Sequence, residues 1–396
     1  MFSKSNKIIV FAKKLILISN PYKSFSIGCA AKNKEQISDR KDLNIFKTFT
    51  AKLRPDLEEE YRKFNAVFPD VKREIFTFIE KRTNKKTAEY FDRALQYNVP
   101  NGKQFRPMQV ILGYKDLMDK SEQTPEKMYK LYMICWALEL VNTVIVIHDD
   151  IIDGGVVRRG RRCWHTLEDI GNFAVSDYIL IIHSGYFILK NHCSDLACYS
   201  ELFEYIVEGV FSTHMGQAMD FIGLGKVSDY SLEIVYPAQV VITSNFLFYT
   251  PMSMLMSLTG YDNRESIKHI CDEMGHYHQC QNDVLDIFDI DGVLQKTTHD
   301  IEIGKCSWLA VTCMRRANDE QKQIMIENYG KNDSECINRV KQLFIDMNML
   351  ELYREFAYGK YDSIRALIAA AECQDPIKNV LYKTVDLLFH RSQLFK

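Results

Sequence analysis

From about Ser38 onward, apolar positions recur every three to four residues with few interruptions, the spacing of one buried face of an α-helix. This period predicts helices over 56–82, 85–97, 104–118, 126–152, 172–192, 200–223, 231–259, 264–289 and 305–317. Asn98-Val-Pro-Asn-Gly102 reads as a turn, because proline and Asn-Gly break the second helix from the third. Alternating runs rich in valine or threonine are scarce, only nine prolines punctuate the chain, and no internal repeat is evident. The pattern therefore predicts an all-α fold, a single helical bundle over residues 38–396, with ligands held between facing helices around a central cavity.

The first residues change this picture. Before Glu35 there is no acidic residue, while seven lysines lie among apolar and serine positions. Residues 1–37 are thus expected to be a transit peptide or a disordered leader, placing the protein in mitochondria or in the cytoplasm. The apolar segments Ile8–Ala12 and Leu15–Ile18 are far shorter than the roughly 20 residues of a membrane span, so no integral membrane segment is expected there. Fifty basic against 52 acidic residues leave the chain nearly neutral, which gives no reason to expect a nucleic-acid partner. The 11 cysteines form no Cys-x-x-Cys pair and read as free thiols.

Chemistry concentrates at the end of the fourth predicted helix. Asp149 and Asp153 are four residues apart and share a helical face, whereas Asp150 points about a quarter-turn away. Two carboxylates at that spacing repel unless a cation sits between them. Oxygen ligands without cysteine favour Mg2+, which typically shares phosphate oxygens. Arg158 and Arg159 follow as donors for the same phosphates. Lys103 and Arg106 after the Asn-Gly turn form a second candidate anion cradle. Asn282 and Asp286 repeat the metal-ligand spacing on a later helix, Asn282 offering a carbonyl oxygen without charge. Lys296 and Lys305 flank a segment that could close over an anion. Gln217 and Asp220 form a polar pair expected to face a cavity, and His148 and His214 read as packing residues.

With these residues placed, the chain from about residue 45 resembles the trans-isoprenyl diphosphate synthase family of the farnesyl diphosphate synthase type. Asp149-Asp-Ile-Ile-Asp153 with Arg158-Arg159-Gly160 is similar to that family's first aspartate-rich motif. Asn98–Arg106 resembles its isopentenyl diphosphate anchor, and Lys305-Cys-Ser-Trp308 and Glu327-Asn-Tyr-Gly330 resemble later landmarks. The resemblance implies a homodimer, three Mg2+ ions and metal ligands at Asp149, Asp153, Asn282 and Asp286. It assigns the catalytic positions to Asp149, Asp153, Arg158 and Lys296. By the same analogy Arg158 and Lys296 grip an allylic diphosphate, Lys103, Arg106 and Arg159 hold a homoallylic one, and Lys305 lies nearby.

Several positions depart from the synthase pattern. Ile242-Thr243 stands where the family has Lys-Thr, Asn245 and Phe246 stand where it has tyrosines, and Asn142 replaces glutamine. Val144 and Ile145, five and four residues before Asp149, stand where farnesyl synthases carry bulky aromatics, which predicts a deeper cavity. Together with Gln217 and Gln279 these residues are the expected cavity lining. Losing a charged donor at an anion site commonly costs a few kcal/mol. The sequence thus reads foremost as a terpene synthase, resembling the insect branch of the family, that ionises farnesyl diphosphate to a sesquiterpene. The alternatives are a short-chain prenyl diphosphate synthase and a catalytically weak regulatory subunit.

Overall fold

The computed structural model describes residues 56–391 apart from 101, 103, 224–225, 231–242 and 289–299. The expected leader, Lys103, Ile242 and Lys296 therefore lie outside the described residues. The described chain is an all-α bundle: α1 (Leu57–Arg82), α2 (Lys85–Asn98), α3 (Phe105–Leu117) and α4 (Pro125–Ile152) come first. After a hairpin of β1 (Val157–Arg158) and β2 (Arg161–Arg162) come α5 (Ala174–Cys193) and α6 (Tyr199–Gly223). A π-turn over Asn245–Tyr249 runs into α7 (Thr250–Thr259), followed by α8 (Glu265–Ile287). The chain closes with α9 (Trp308–Arg316), α10 (Asp319–Asn328), α11 (Ser334–Asp346), α12 (Met349–Ala370) and α13 (Asp375–Arg391).

The bundle is built around α4. Thr124 caps its start, accepting the Lys127 amide at 3.3 Å, and Pro125 occupies the first turn, where its missing N–H costs nothing. From Leu131 to Val144 every residue is buried, so the usual polar face is absent and neighbours surround the helix. On α1, the Phe64 carbonyl accepts the Trp136 indole N–H at 2.9 Å, and the two rings stack at 4.3 Å. This satisfies the one polar atom of a fully buried tryptophan.

Two described helices are long and apolar enough to cross a membrane, α4 and the Gly171–Cys193 segment. The most apolar stretch of α4 is 83% buried inside the bundle and is accounted for as a core helix. On α5 and α6, by contrast, a stripe of large apolar side chains stays exposed. Phe203, Val207, Phe211, Met215 and Met219 recur every fourth residue, beside Val175, Ile179 and Leu180.

Three boundaries differ from the periodicity. Helix α9 begins at Trp308 and not at 305, because the Ser307 hydroxyl accepts the Ala310 amide at 3.2 Å and fixes the start. The described part of the expected 231–259 helix opens with the π-turn. There the Phe246 and Leu247 carbonyls accept Arg106 Nε and Gln109 Nε2, each at 3.0 Å. The hairpin falls between predicted helices; it turns through Arg159 and Gly160, whose φ values of 54° and 71° suit a two-residue turn with both central residues left-handed.

The π-turn lies close to α8. A Cβ at Gly275 would come within 2.1 Å of the Ser244 Cβ and 2.4 Å of its Cα, too near for a side chain to yield. Gly275→Ala is predicted to lower unfolding free energy by about 1–3 kcal/mol. A denaturant midpoint equal to that of the unaltered protein would show that the two segments can part freely.

Candidate active site

The buried helix α4 ends in three carboxylates, at the pole where its own dipole is negative. The turn that follows brings cations back to them. Gly154 has φ 65°, and the Gly155 amide donates to the Asp150 carbonyl at 2.8 Å, so the chain reverses and lays the hairpin against the helix end. Arg158 then donates from Nε to Asp150 Oδ1 at 2.7 Å and from Nη2 to Asp149 Oδ2 at 2.8 Å. Burial opposes its charge, but Asp149 and Asp150 outweigh that and hold its pKa above the ordinary arginine range.

Asp150 is thus an anchor that the i, i+4 spacing does not single out. It is only 6% exposed and fastens Arg158, while the Asp149 side chain is 44% exposed and Asp153 is exposed at the helix cap. The helical face expected to meet a metal is the one left open.

About three turns earlier on α4 lies a second charged group. Glu139 is fully buried within an apolar run and accepts Asn142 Nδ2 at 3.3 Å, while its other oxygen has no hydrogen-bond partner. Burial raises its pKa, and the nearby Arg159 and Arg106 pull it back down. Both arginines are in turn weakened. Burial, with repulsion from Arg159, takes Arg106 down to about 10 despite the attraction of Glu139. Burial likewise lowers Arg159, again opposed by Glu139. Two guanidiniums share one carboxylate, so the pocket favours a further anion.

Each arginine is also held by backbone. Arg106 donates to the Phe246 carbonyl of the π-turn with its guanidinium 5.2 Å from the Phe246 ring centre. Arg159 donates to the Asn98 carbonyl at 3.1 Å. Gly102 lets the Asn-Gly loop pass, since a Cβ there would lie 2.8 Å from both Arg159 Nη2 and Glu139 Oε1.

The second acidic cluster centres on Asp283, which the sequence reading passed over. Asp283 accepts the Trp308 amide at 2.7 Å and Gln279 Nε2 at 2.9 Å, and Thr243 donates to Gln279 at 3.3 Å. Lys305 lies 3.5 Å from Asp300 and 4.0 Å from Asp283, so its charge is balanced by carboxylates. Burial pushes Asp283 up to about 6, although Lys305, the Trp308 amide and Gln279 all favour its ionised form.

Asn282 and Asp286 lie four residues apart on α8, but their surroundings differ. Asp286 is 3% exposed and accepts the Asp300 amide at 3.4 Å, because the segment before α9 packs over that side of α8. Asn282 is half-buried with its Nδ2 3.3 Å from His278 Nδ1. Gln217 meets His148 Nδ1 at 2.7 Å, and the Asp220 side chain lies outside the described residues. His148 is therefore hydrogen-bonded as well as packed, 4.7 Å from the His214 ring. Of the expected cavity positions, Val144 and Phe246 are buried and Ile145 is half-buried.

A model of the family described as polyprenyl synthetase matches residues 88–347, which include all of these groups. The chain belongs to the polyprenyl synthetase family. It is 32% identical over 284 residues to the farnesyl pyrophosphate synthase of Bos taurus, covering 69% of this chain and 80% of that protein. Identity to the farnesyl pyrophosphate synthase of Nezara viridula is 32% over 321 residues, covering 80% of this chain and 79% of the relative. For that of Panax ginseng it is 32% over 337 residues, with 84% and 98% covered. Among solved structures, T. brucei farnesyl diphosphate synthase complexed with risedronate superimposes with a TM-score of 0.75 at 21% identity, covering 83% of this chain and 97% of that one. The all-α isoprenoid synthase fold is thereby established, and with it the trans-isoprenyl diphosphate synthase family.

Within this polyprenyl synthetase, Glu139 is the group that the residue pattern alone could have flagged: a lone carboxylate in Ala137-Leu-Glu-Leu-Val141. Glu139→Gln removes the only carboxylate named between Arg106 and Arg159, and is predicted to cost about 3–5 kcal/mol in anion-free buffer. Added diphosphate should restore part of the lost melting temperature. An unchanged melt without anion would remove the charge balance proposed for this pocket.

Proposed function

We propose that this enzyme is a short-chain prenyl diphosphate synthase, condensing isopentenyl diphosphate with an allylic prenyl diphosphate. The observation that carries this reading is the retained second anion pocket, where Arg106 and Arg159 are fixed around buried Glu139 with a surplus of positive charge. A chain that ionised a single diphosphate would have no use for it. The farnesyl pyrophosphate synthase relatives support the same choice over the sesquiterpene-forming one.

The residues divide the work as follows. Arg106 and Arg159 bind and orient the homoallylic diphosphate through charge-assisted hydrogen bonds. Asp149 and Asp153 face the allylic one, and Arg158 fixes the Asp149 carboxylate in place. When the allylic C–O bond breaks, the bonding pair leaves with diphosphate. The isopentenyl double bond then attacks the carbocation, and a proton is lost to restore the alkene. An apolar, water-excluding cavity keeps the cation from being quenched early.

The donor set fits Mg2+. Asp149 and Asp153 offer exposed hard oxygens at the end of α4. Among the described residues no three His, Cys, Asp or Glu side chains converge as a closed metal cage. An ion that keeps its waters and shares phosphate oxygens needs no such cage. When bound, Mg2+ supplies positive charge that stabilises the departing diphosphate.

The exposed apolar stripe of α5 and α6 supports a homodimer through these helices, since Phe211 is 65% exposed and a lone chain would leave the whole stripe in water. Light scattering on the purified protein should give twice the chain mass, and Phe211→Glu should shift it toward one. A monomer before substitution would remove this assignment. The lysine-bearing, acid-free leader supports delivery to mitochondria, checked by fractionation of cells expressing the full chain.

A second reading, terpene synthase, is favoured by Asn282, which is neutral where the family's second motif opens with a carboxylate. One assay decides between the two. The protein with Mg2+, isopentenyl diphosphate and dimethylallyl diphosphate should yield longer prenyl diphosphates, detected as alcohols after dephosphorylation. Hydrocarbon or terpene alcohol from farnesyl diphosphate alone, without elongation, would replace the synthase reading. Arg106→Gln should raise KM for isopentenyl diphosphate about 10–100-fold, the loss of a charged hydrogen bond, and leave the allylic KM nearly unchanged. Asp149→Ala should abolish turnover.

A further inference from the structure

The hairpin carries two arginines that neither the aspartate-rich end of α4 nor the Glu139 pocket uses. In its register Arg158 pairs with Arg161, and Val157 with Arg162. Like charges directly opposite one another destabilise a strand pair. Arg158 is neutralised by Asp149 and Asp150, but Arg161 is not. Its guanidinium lies only near the Tyr97 ring, 6.0 Å from the ring centre, and Arg162 is bonded to the Thr166 carbonyl. Among the described residues neither has a carboxylate partner.

Behind the hairpin is a recess of about 40 Å3, lined by all four hairpin arginines and by a single carboxylate, Asp150. Its floor on α4 is Thr143, Val146, Ile147 and Asp150, spaced as one helical stripe. Glu139 continues that stripe one turn earlier, and Arg158 and Arg159 line the recess as well, so it adjoins the diphosphate pockets, while Arg161, Arg162 and His165 are used by neither of them. His165 lines it too, and its Nδ1 is buried with no hydrogen-bond partner. Leaving a buried ring nitrogen without a partner is costly, so a polar group belongs beside it.

We propose that this recess is a further oxyanion site, taking inorganic phosphate or a phosphate group of diphosphate, with Arg161, Arg162 and His165 as its donors. The chemistry is that of a small tetrahedral oxyanion. A water needs about 10–15 Å3 by this measure, so the space holds roughly three waters, enough for one phosphate group but not for a prenyl tail. Guanidinium forks match phosphate oxygens in pairs, and His165 donates from Nδ1 in the tautomer that carries its proton there. Occupancy would relieve the Arg158–Arg161 repulsion and brace the hairpin that also holds Arg158 and Arg159. The binding assignment is independent of the synthase reading, because it concerns the anion and not the reaction.

The test is phosphate titration of the full chain in EDTA, by calorimetry and by long-range 15N–1H spectra of the histidine rings. Unaltered protein should bind saturably, with the His165 Nδ1 resonance moving along the same isotherm. Arg161→Gln with Arg162→Gln should weaken the binding that moves the His165 resonance at least tenfold. Diphosphate and methyl phosphate run in parallel identify the source: tighter binding of diphosphate assigns the released product, and equal binding any phosphate group. Absence of saturable binding, a stationary His165 resonance, or an unchanged isotherm in the double variant would overturn the proposal. The ring resonance reads the unaltered protein, so the test does not depend on a variant folding.

Discussion

The structure depends on how a helix buried through its middle can end in three carboxylates. Helix α4 is wrapped by neighbours along most of its length, so its terminal charges cannot all be left to solvent, and its dipole adds to them. The chain answers with its own cations. Two glycines reverse the backbone, a short hairpin follows, and Arg158 bonds two of the carboxylates at once. What remains open is one aspartate face at the end of a rigid element. A cation arriving there therefore meets pre-oriented oxygens.

The same logic operates deeper in α4, with the sign reversed. Glu139 is a buried anion that cannot neutralise both Arg106 and Arg159, and each guanidinium is anchored to a backbone carbonyl on its far side. The Phe246 carbonyl is available because the helix there widens into a π-turn, and the π-turn can sit where it does because Gly275 has no side chain. Local backbone irregularity, a missing Cβ and a buried carboxylate thus act together on one guanidinium. Such sites are where local rules of helix building give way to function.

Much of this was legible in advance, and the parts that were not have identifiable reasons. Helical periodicity found α1 to α4 within a residue or two, since those helices carry continuous apolar faces. It passed over the hairpin, whose strands are two residues long and whose signal is two left-handed residues. It separated Asp149 and Asp153 from Asp150 correctly but gave Asp150 no task, because the partner Arg158 comes back through a turn. Asn282 and Asp286 looked equivalent by spacing, yet the segment before α9 covers one and leaves the other half-buried. The weight placed on departures from the synthase pattern also favoured a terpene synthase, whereas the farnesyl pyrophosphate synthase relatives support the prenyl diphosphate synthase alternative.

The chain's residue order alone determined the fold class, the family resemblance and the acidic and basic groups available for diphosphate chemistry. These are written as periods and spacings within single helices, and a helix's geometry converts spacing into a shared face. Only the tertiary structure decided which carboxylates are open and which are anchors, that Lys305 is already balanced by Asp283 and Asp300, and that Arg161 and Arg162 have no carboxylate partner among the described residues. Those outcomes turn on burial and on partners distant in sequence. Charge in a low-dielectric interior is governed by what lies within a few ångströms in space.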